Sequence, residues 1–145
     1  MPGERQQRET ARRRTALCSA TFGEIGDHLF TQIDVGGSTS CGLLQNGSAF
    51  CWGSGGTLGN GAGLDSLVPV PVSGGHVFTQ ITVGRDHSCG LLQNSSALCW
   101  GQSGGNGQLG NGFTSTSGFP VPVTGDHLFS QISAGDSHSR SISHI

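Results

Sequence analysis

The stretch Ser40-Cys-Gly-Leu-Leu-Gln-Asn46, followed closely by Cys51-Trp-Gly53, decides the fold because the chain carries both motifs twice. The second copies are Ser88-Cys-Gly-Leu-Leu-Gln-Asn94 and Cys99-Trp-Gly101. Three other motifs recur around them in the same order: Phe30-Thr-Gln-Ile33, Phe78-Thr-Gln-Ile81 and Phe129-Ser-Gln-Ile132; Leu58-Gly-Asn-Gly61 and Leu109-Gly-Asn-Gly112; Pro69-Val-Pro-Val72 and Pro120-Val-Pro-Val123. The chain therefore contains about two and a half copies of one repeat of roughly fifty residues.

Each repeat predicts four short strands. Residues 78–83, 88–93 and 97–101 are apolar runs bounded by Gly, Asn and Ser, and residues 67–72 form an extended segment with two prolines. Proline lacks the N–H that a central strand donates, so this last strand belongs at a sheet edge. Four strands in a repeat of this length are typical of a propeller blade, which buries its apolar faces only by stacking on neighbours. The sequence predicts an all-β fold, a partial β-propeller of about two to two and a half four-stranded blades.

The repeats also predict the domain organisation. Residues 26–75 form repeat 1, residues 76–125 repeat 2 and residues 126–145 a truncated repeat 3, after a disordered Arg-rich segment at residues 1–25.

Large apolar residues that recur at equivalent positions are predicted to pack between blades: Trp52, Trp100, Phe30, Phe78, Phe129, Ile33, Ile81 and Ile132. Each Trp is expected to bury its ring and leave its N–H near the rim.

Composition and charge exclude several function classes. The chain has 26 Gly and no Lys or Tyr, which suits turns rather than long helices. Residues 1–19 hold five Arg and two Glu, a net of +3, whereas residues 20–145 hold two Arg and seven acids, a net of −5. The repeat body therefore lacks the basic surface that nucleic acid requires. No run of 18 apolar residues occurs, so we expect no membrane-spanning segment.

The ordered motifs Phe-x-Gln-Ile, Gly-x-x-His-Ser-Cys-x-Leu-Leu, Cys-Trp-Gly, Gly-Gln-Leu-Gly-Asn-Gly and Pro-Val-Pro-Val resemble the regulator of chromosome condensation repeat, most closely in residues 78–123. The resemblance implies a propeller that usually closes with seven blades. It implies little about function, because one fold carries many. The founding member of the family promotes nucleotide exchange on a small GTPase, and no residue of this chain can be matched to that activity.

The repeat pattern breaks down at both ends. Arg140 stands where Cys41 and Cys89 stand in the earlier copies, and residues 21–24 replace Pro-Val-Pro-Val. We therefore expect a fragment of a longer propeller, with self-association through open blade edges as the alternative, in which several chains form one ring.

The cysteines fall into two equally spaced pairs, Cys41 with Cys51 and Cys89 with Cys99, while Cys18 stands alone. A disulfide across each hairpin is the sharper hypothesis, and free buried thiols are the alternative. A two-residue turn would place Cys51 on the wrong side of the sheet. A three-residue loop at residues 45–47, with Gly47 left-handed, places Cys41 opposite Cys51. Ser95 occupies the left-handed position of the second copy and fits it less well.

The predicted hairpin tips carry two N-glycosylation sequons, Asn46-Gly-Ser and Asn94-Ser-Ser. Together with the cysteine pairs, they favour a secretory or extracellular location, and a cytoplasmic or nuclear one comes next. The absence of a signal peptide argues the other way, although a fragment would lose one.

No catalytic, cofactor-binding or metal-binding residues are predicted. Gly-x-Ser-x-Gly and Walker-type motifs are absent, and the histidines recur on different blades rather than together. We therefore expect a non-catalytic protein-interaction module without a cofactor. Its expected partner is a protein of unspecified identity. The alternatives are a nucleotide-exchange regulator of a small GTPase and an extracellular recognition domain of a receptor or secreted protein.

Overall fold

A computed structural model of the chain describes residues 29–103, 105, 107–135 and 139–143. Two four-stranded antiparallel sheets follow each other along the chain, each with its strands in sequence order. Blade 1 consists of β1 (Phe30–Val35), β2 (Thr39–Leu44), β3 (Ala49–Gly53) and β4 (Ser66–Pro71), with a short 3-10 helix at Gly55–Thr57. Blade 2 consists of β5 (Phe78–Val83), β6 (His87–Leu92), β7 (Ala97–Gly101) and β8 (Ser117–Pro122). Blade 3 contains β9 (Phe129–Ala134) and β10 (Ser139–Ser143).

This architecture confirms the predicted all-β fold of four-stranded blades. The second and fourth strands of a blade begin one residue earlier than the sequence patterns predict, at His87 and Ser66. The proline-containing strands β4 and β8 lie at the outer edges of their sheets. Their prolines are accepted there because an edge strand has one side without ladder hydrogen bonds.

Stacking of consecutive blades creates the apolar core. Each four-stranded sheet has a disulfide side, which carries its two cysteines, and an aromatic side, which carries its first-strand Phe and its Trp. The disulfide side of blade 1 packs on the aromatic side of blade 2 in one cluster: Cys41, Leu43, Ala49, Cys51, Leu58, Val72, Phe78, Ile81, Val83, Leu98 and Trp100. The disulfide side of blade 2 meets Phe129 and Ile132 of blade 3 in the same way.

Polar side chains on the innermost strands join blade 1 to blade 2. The backbone N–H of Ile81 donates to Oε1 of Gln32 over 3.0 Å, and the N–H of Val83 donates to Oδ2 of Asp34 over 2.7 Å. Adjacent first strands are therefore tied together by side chains instead of a backbone ladder.

The junction between blades 2 and 3 repeats this pattern. The Gln80 amide donates to the carbonyl of Ile132 over 3.0 Å and accepts from its N–H over 3.1 Å. The N–H of Ala134 donates to the Thr82 hydroxyl over 3.0 Å. The Gln of Phe-x-Gln-Ile thus fixes the spacing of consecutive blades at both junctions.

The glycine of the repeated Cys-Gly-Leu-Leu motif is required by packing. A Cβ on Gly90 would lie 2.4 Å from Cδ1 of Phe78, which is closer than carbon atoms can approach. Only glycine lets the Phe78 ring lie against the neighbouring strand at this point.

Candidate functional site

The strand order places the connections of each blade at two opposite ends. The hairpin face comprises the β2–β3 and β6–β7 turns (45–48 and 93–96) and the links between blades (72–77 and 123–128). The loop face comprises the β1–β2 and β5–β6 turns (36–38 and 84–86) and the long β3–β4 and β7–β8 loops (54–65 and 102–116). Both faces continue from blade to blade, because Phe78 N–H donates to Gly47 O at one end and Gly37 N–H donates to Gly84 O at the other.

The first hairpin adopts the loop that a disulfide requires. Leu44 N–H donates to the carbonyl of Ser48, which leaves residues 45–47 as the loop, and Gly47 has a φ of 86°. Cys41 and Cys51 are register partners and are joined by a disulfide.

The second hairpin has the same register, with Cys89 opposite Cys99 and joined to it. Ser95 takes the left-handed position with a φ of 72°. This left-handed conformation costs a residue with a Cβ, such as Ser95, roughly 1–2 kcal/mol.

Both disulfides lie inside the blade interfaces. Cys41 and Cys51 have no exposed surface, and Cys89 is almost as deeply buried. The Sγ of Cys89 lies 3.5 Å from the hydroxyl of Ser139 on blade 3. The disulfides therefore form part of the packing between blades, out of contact with solvent.

The aromatic residues form one pair within each complete blade. The ring centroids of Phe30 and Trp52 are 5.6 Å apart, and those of Phe78 and Trp100 are 5.9 Å apart. Trp100 is fully buried because blade 1 covers it, and a Cβ on Gly59 of blade 1 would lie 2.8 Å from its Nε1. The indole N–H of each Trp is buried, whereas the sequence suggested a place near the rim.

The isoleucines of the first strands differ between blades. Ile81 and Ile132 are buried at the two junctions, while Ile33 is only half-buried. The difference follows from stacking, because the described residues place a blade against the aromatic sides of blades 2 and 3 and none against that of blade 1.

The hairpin face contains a groove of about 300 Å³ at the junction of blades 1 and 2. It is lined by residues 43–47 of the first hairpin, by 77–79 of the next blade, and by Thr31 and Gln93. None of these side chains is charged, so the groove has no residue suited to acid–base catalysis.

The histidines are distributed rather than clustered. His76 and His127 each contact the Phe two residues later, with centroids 5.8 and 6.0 Å apart. His87 is fully buried, and its Nε2 lies 2.9 Å from the hydroxyl of Ser139. Within the part of the chain that the structure describes, no three His, Cys, Asp or Glu residues could hold a metal ion.

The His87–Ser139 contact was not foreseen from the sequence. Ser139 also donates its hydroxyl proton to the carbonyl of Gln108, so one serine joins blade 3 to two parts of blade 2. Its equivalence to Ser40 and Ser88 was visible from the repeat, but its partners lie on another blade.

The loop face is where the copies differ most. Gly37 and Ser38 of blade 1 correspond to Arg85 and Asp86 of blade 2, and the loop 102–116 is three residues longer than 54–65. The turns of the hairpin face are nearly constant, with Gln, Asn and Ser in both copies at 45, 46 and 48 and at 93, 94 and 96, whereas its links 72–77 and 123–128 differ at three of six positions without a change in length.

The β3–β4 loop of this variable face is held firmly. Gly55 N–H donates to Oδ1 of Asp65 over 2.8 Å, which closes the β3–β4 loop at its base. The hydroxyls of Thr39 and Thr57 are hydrogen-bonded to each other beneath it. A preorganised loop surface loses less entropy on binding than a flexible one.

Comparison with protein families identifies the repeats. The model described as "Regulator of chromosome condensation (RCC1) repeat" matches residues 46–91 and 95–142, more than half of the chain, and a second model of that description matches 30–59 and 78–108. The chain belongs to the RCC1 repeat family. A comparison with curated proteins finds no match.

Solved structures of similar fold include human WBSCR16 (TM-score 0.73, 24% identity, 80% of this chain and 31% of that one). Prp20p from Saccharomyces cerevisiae is also similar (0.69, 20%, 83% and 32%), as is the receptor kinase CR4 ectodomain from Physcomitrella patens (0.59, 22%, 83% and 29%). The chain spans about a third of the length of each. At these identities the likeness shows the fold alone, a partial RCC1-type β-propeller.

Some predictions are not tested by these findings. The repeat boundaries 26–75, 76–125 and 126–145 stay predictions, and the Arg-rich segment 1–25 and Cys18 lie outside the described residues. No helix among the described residues is long and apolar enough to span a bilayer.

Proposed function

We propose that this RCC1-repeat chain is part of a non-catalytic module that binds a protein partner through its loop face. The observation that carries the proposal is the concentration of copy-to-copy differences, including the three-residue insertion, on that face. In repeat proteins, insertions within single repeats fall on one face, which is often the binding face.

The exposed chemistry of the loop face supports this proposal. Phe113 is 68% exposed and Leu64 is 71% exposed, although both are large apolar residues. Arg85 and Asp86 project beside each other with their Nε and Oδ2 atoms 3.8 Å apart. Aromatic residues and Arg are the types enriched in protein–protein interfaces, so this mixture suits a protein partner.

Site-specific photo-crosslinking tests the proposal. A photoreactive residue at Phe113 should crosslink the partner in an extract of the natural source, and the same residue at Gln45 on the hairpin face should not. The variant Phe113→Ser should then weaken binding of the identified partner roughly tenfold, which corresponds to about 1.4 kcal/mol. Crosslinks formed from position 45 alone would overturn the proposed face.

A second candidate function is an extracellular recognition domain. It is favoured by the two buried hairpin disulfides, because such bonds persist in oxidising compartments and are rare in the cytosol. Thiols counted under denaturing conditions in chain isolated from its natural cells should show one reactive group, Cys18. Five reactive thiols would exclude this candidate and leave the intracellular module.

Nucleotide exchange on a small GTPase stays a prediction. Prp20p has been studied for its binding to Gsp1p and histones, and its likeness to this chain concerns the fold. A nucleotide-release assay with small GTPases tests the activity directly.

A further inference from the structure

Both sequons lie at exposed hairpin tips. Asn46 and Asn94 are exposed and occupy the same position of two loops with identical register. Oδ1 of Asn46 accepts from Ser48 N–H over 2.9 Å, and Oδ1 of Asn94 accepts from Ser96 N–H over 3.0 Å. The side chains are therefore held by their oxygens alone. Among the described residues, neither Nδ2 atom has a hydrogen-bond partner, so both amide nitrogens face solvent.

The contacts that fix each hairpin tip leave the amide nitrogen of the asparagine unused. The carbonyl of Gly47 accepts from Phe78 N–H over 2.8 Å, and the carbonyl of Ser95 accepts from Phe129 N–H over 2.7 Å. Because the next blade holds each tip by its backbone, a bulky group on Nδ2 would displace no packing or hydrogen bond.

The same hairpins carry the disulfides. Cys41–Cys51 brackets Asn46, and Cys89–Cys99 brackets Asn94. Disulfide formation and asparagine glycosylation both occur in the secretory pathway, so each hairpin combines two features suited to one compartment.

We propose that Asn46 and Asn94 are N-glycosylation sites and that their glycans cover the hairpin face, which leaves the loop face as the contact surface. In the modification, Nδ2 attacks the anomeric carbon of a lipid-pyrophosphate-linked oligosaccharide. The new bond is N–C, the C–O bond to pyrophosphate breaks, the lipid pyrophosphate leaves with the electron pair, and the amide nitrogen loses one proton.

The groove on the hairpin face lies where a glycan on Asn46 would cover it. Asn46 is one of its lining residues, and Gln93, the neighbour of Asn94, is another. Val77 also lines the groove and is 50% exposed. A glycan on Asn46 would project over this groove, whereas the loop face lies at the opposite end of the strands.

Occupancy is tested with the full chain preceded by a cleavable secretory signal and translated with microsomes. The unmodified sequence should gain two glycans, removable by peptide N-glycosidase. Ser48→Ala and Ser96→Ala should each remove one, and Ser48→Thr should retain both, since threonine preserves the sequon. The Ser48 side chain makes no hydrogen bond within the described residues, so Ser48→Ala and Ser48→Thr are a well-matched pair that differs in whether the sequon is kept. An imported chain that carries no glycan would overturn the proposal, whether or not the chain folds.

Shielding is tested separately by hydroxyl-radical footprinting of the secreted chain before and after deglycosylation. Oxidation of Val77 should rise several-fold when the glycans are removed, while oxidation of Phe113 on the loop face should stay the same. Equal Val77 oxidation in both forms would show that the glycans leave the hairpin face open. The partner crosslinks described above are a separate readout, so failure of the glycan proposal is distinguishable from failure of the loop-face proposal.

Discussion

The Sγ atom of Cys41 lies 3.8 Å from the hydroxyl of Ser88, which belongs to the next blade. Ser88 is fully buried, and its counterpart Ser139 contacts Cys89 in the same way at the following junction. In the Ser88-Cys89 pair, the cysteine stabilises its own hairpin, while the serine contacts the disulfide of the blade before. The motif therefore serves two blades at once.

Removing one disulfide should destabilise the fold measurably. The double variant Cys41→Ala with Cys51→Ala removes a disulfide between residues ten positions apart in the sequence. Because the disulfide restricts the unfolded chain, its loss should lower the free energy of unfolding by about 3 kcal/mol. The midpoint of denaturant unfolding, followed by Trp fluorescence, should fall accordingly. Gln45→Ala, at the exposed tip of the same hairpin, is the control and should leave the midpoint nearly unchanged. A double variant as stable as the parent would mean that the hairpin disulfide contributes nothing.

Ser95→Gly should stabilise the second hairpin. Ser95 holds a φ of 72°, and glycine at the equivalent position 47 adopts the same region without a Cβ. After the greater freedom of glycine in the unfolded chain is allowed for, the expected gain is about 0.5–1 kcal/mol. The exchange preserves the sequon at Asn94. Gly47→Ser is the reciprocal test and should lower stability, because its Cβ would lie 2.6 Å from Cγ1 of Val77.

Gly59→Ala and Gly63→Ala form a matched pair. Both glycines have similar positive φ values, 76° and 70°, so alanine adds similar backbone strain at each. At Gly59 the new Cβ would meet the indole of Trp100, whereas at Gly63 nothing lies within 4 Å. Gly59→Ala should therefore cost an additional 1–3 kcal/mol, roughly the usual cost of overpacking. Thermal unfolding and a changed Trp emission maximum measure it, and equal losses at the two sites would contradict the packing of Trp100 on blade 1.

The sequence predicted the parts of the fold that lie within one repeat. Strand positions and the Cys41–Cys51 register follow from local patterns, because a hairpin's register is set by its turn. Contacts between blades were harder to predict. The recurring Gln of the first-strand motif was visible, but the partner of Gln80, Ile132, belongs to another copy. A single repeat gives no signal for where its neighbour's backbone lies, so the hydrogen bonds between blades and the burial of the Trp N–H were not foreseen.

Gln80 and Gln131 allow the blade-to-blade hydrogen bonds to be tested at equivalent positions. Gln80→Ala removes both hydrogen bonds to Ile132. The backbone N–H and carbonyl of Ile132 then lose their partner at a largely buried junction. The expected cost is about 1–3 kcal/mol, the usual penalty for a buried backbone group that loses its partner. Gln131→Ala changes the same residue type at the same strand position, but its side chain is exposed, so its effect should stay within about 0.5 kcal/mol. Denaturant unfolding compares the two variants, and hydrogen exchange at the Ile132 amide should accelerate only in Gln80→Ala. Equal effects of the two substitutions would show that Gln80 acts through its own strand and does not join the blades.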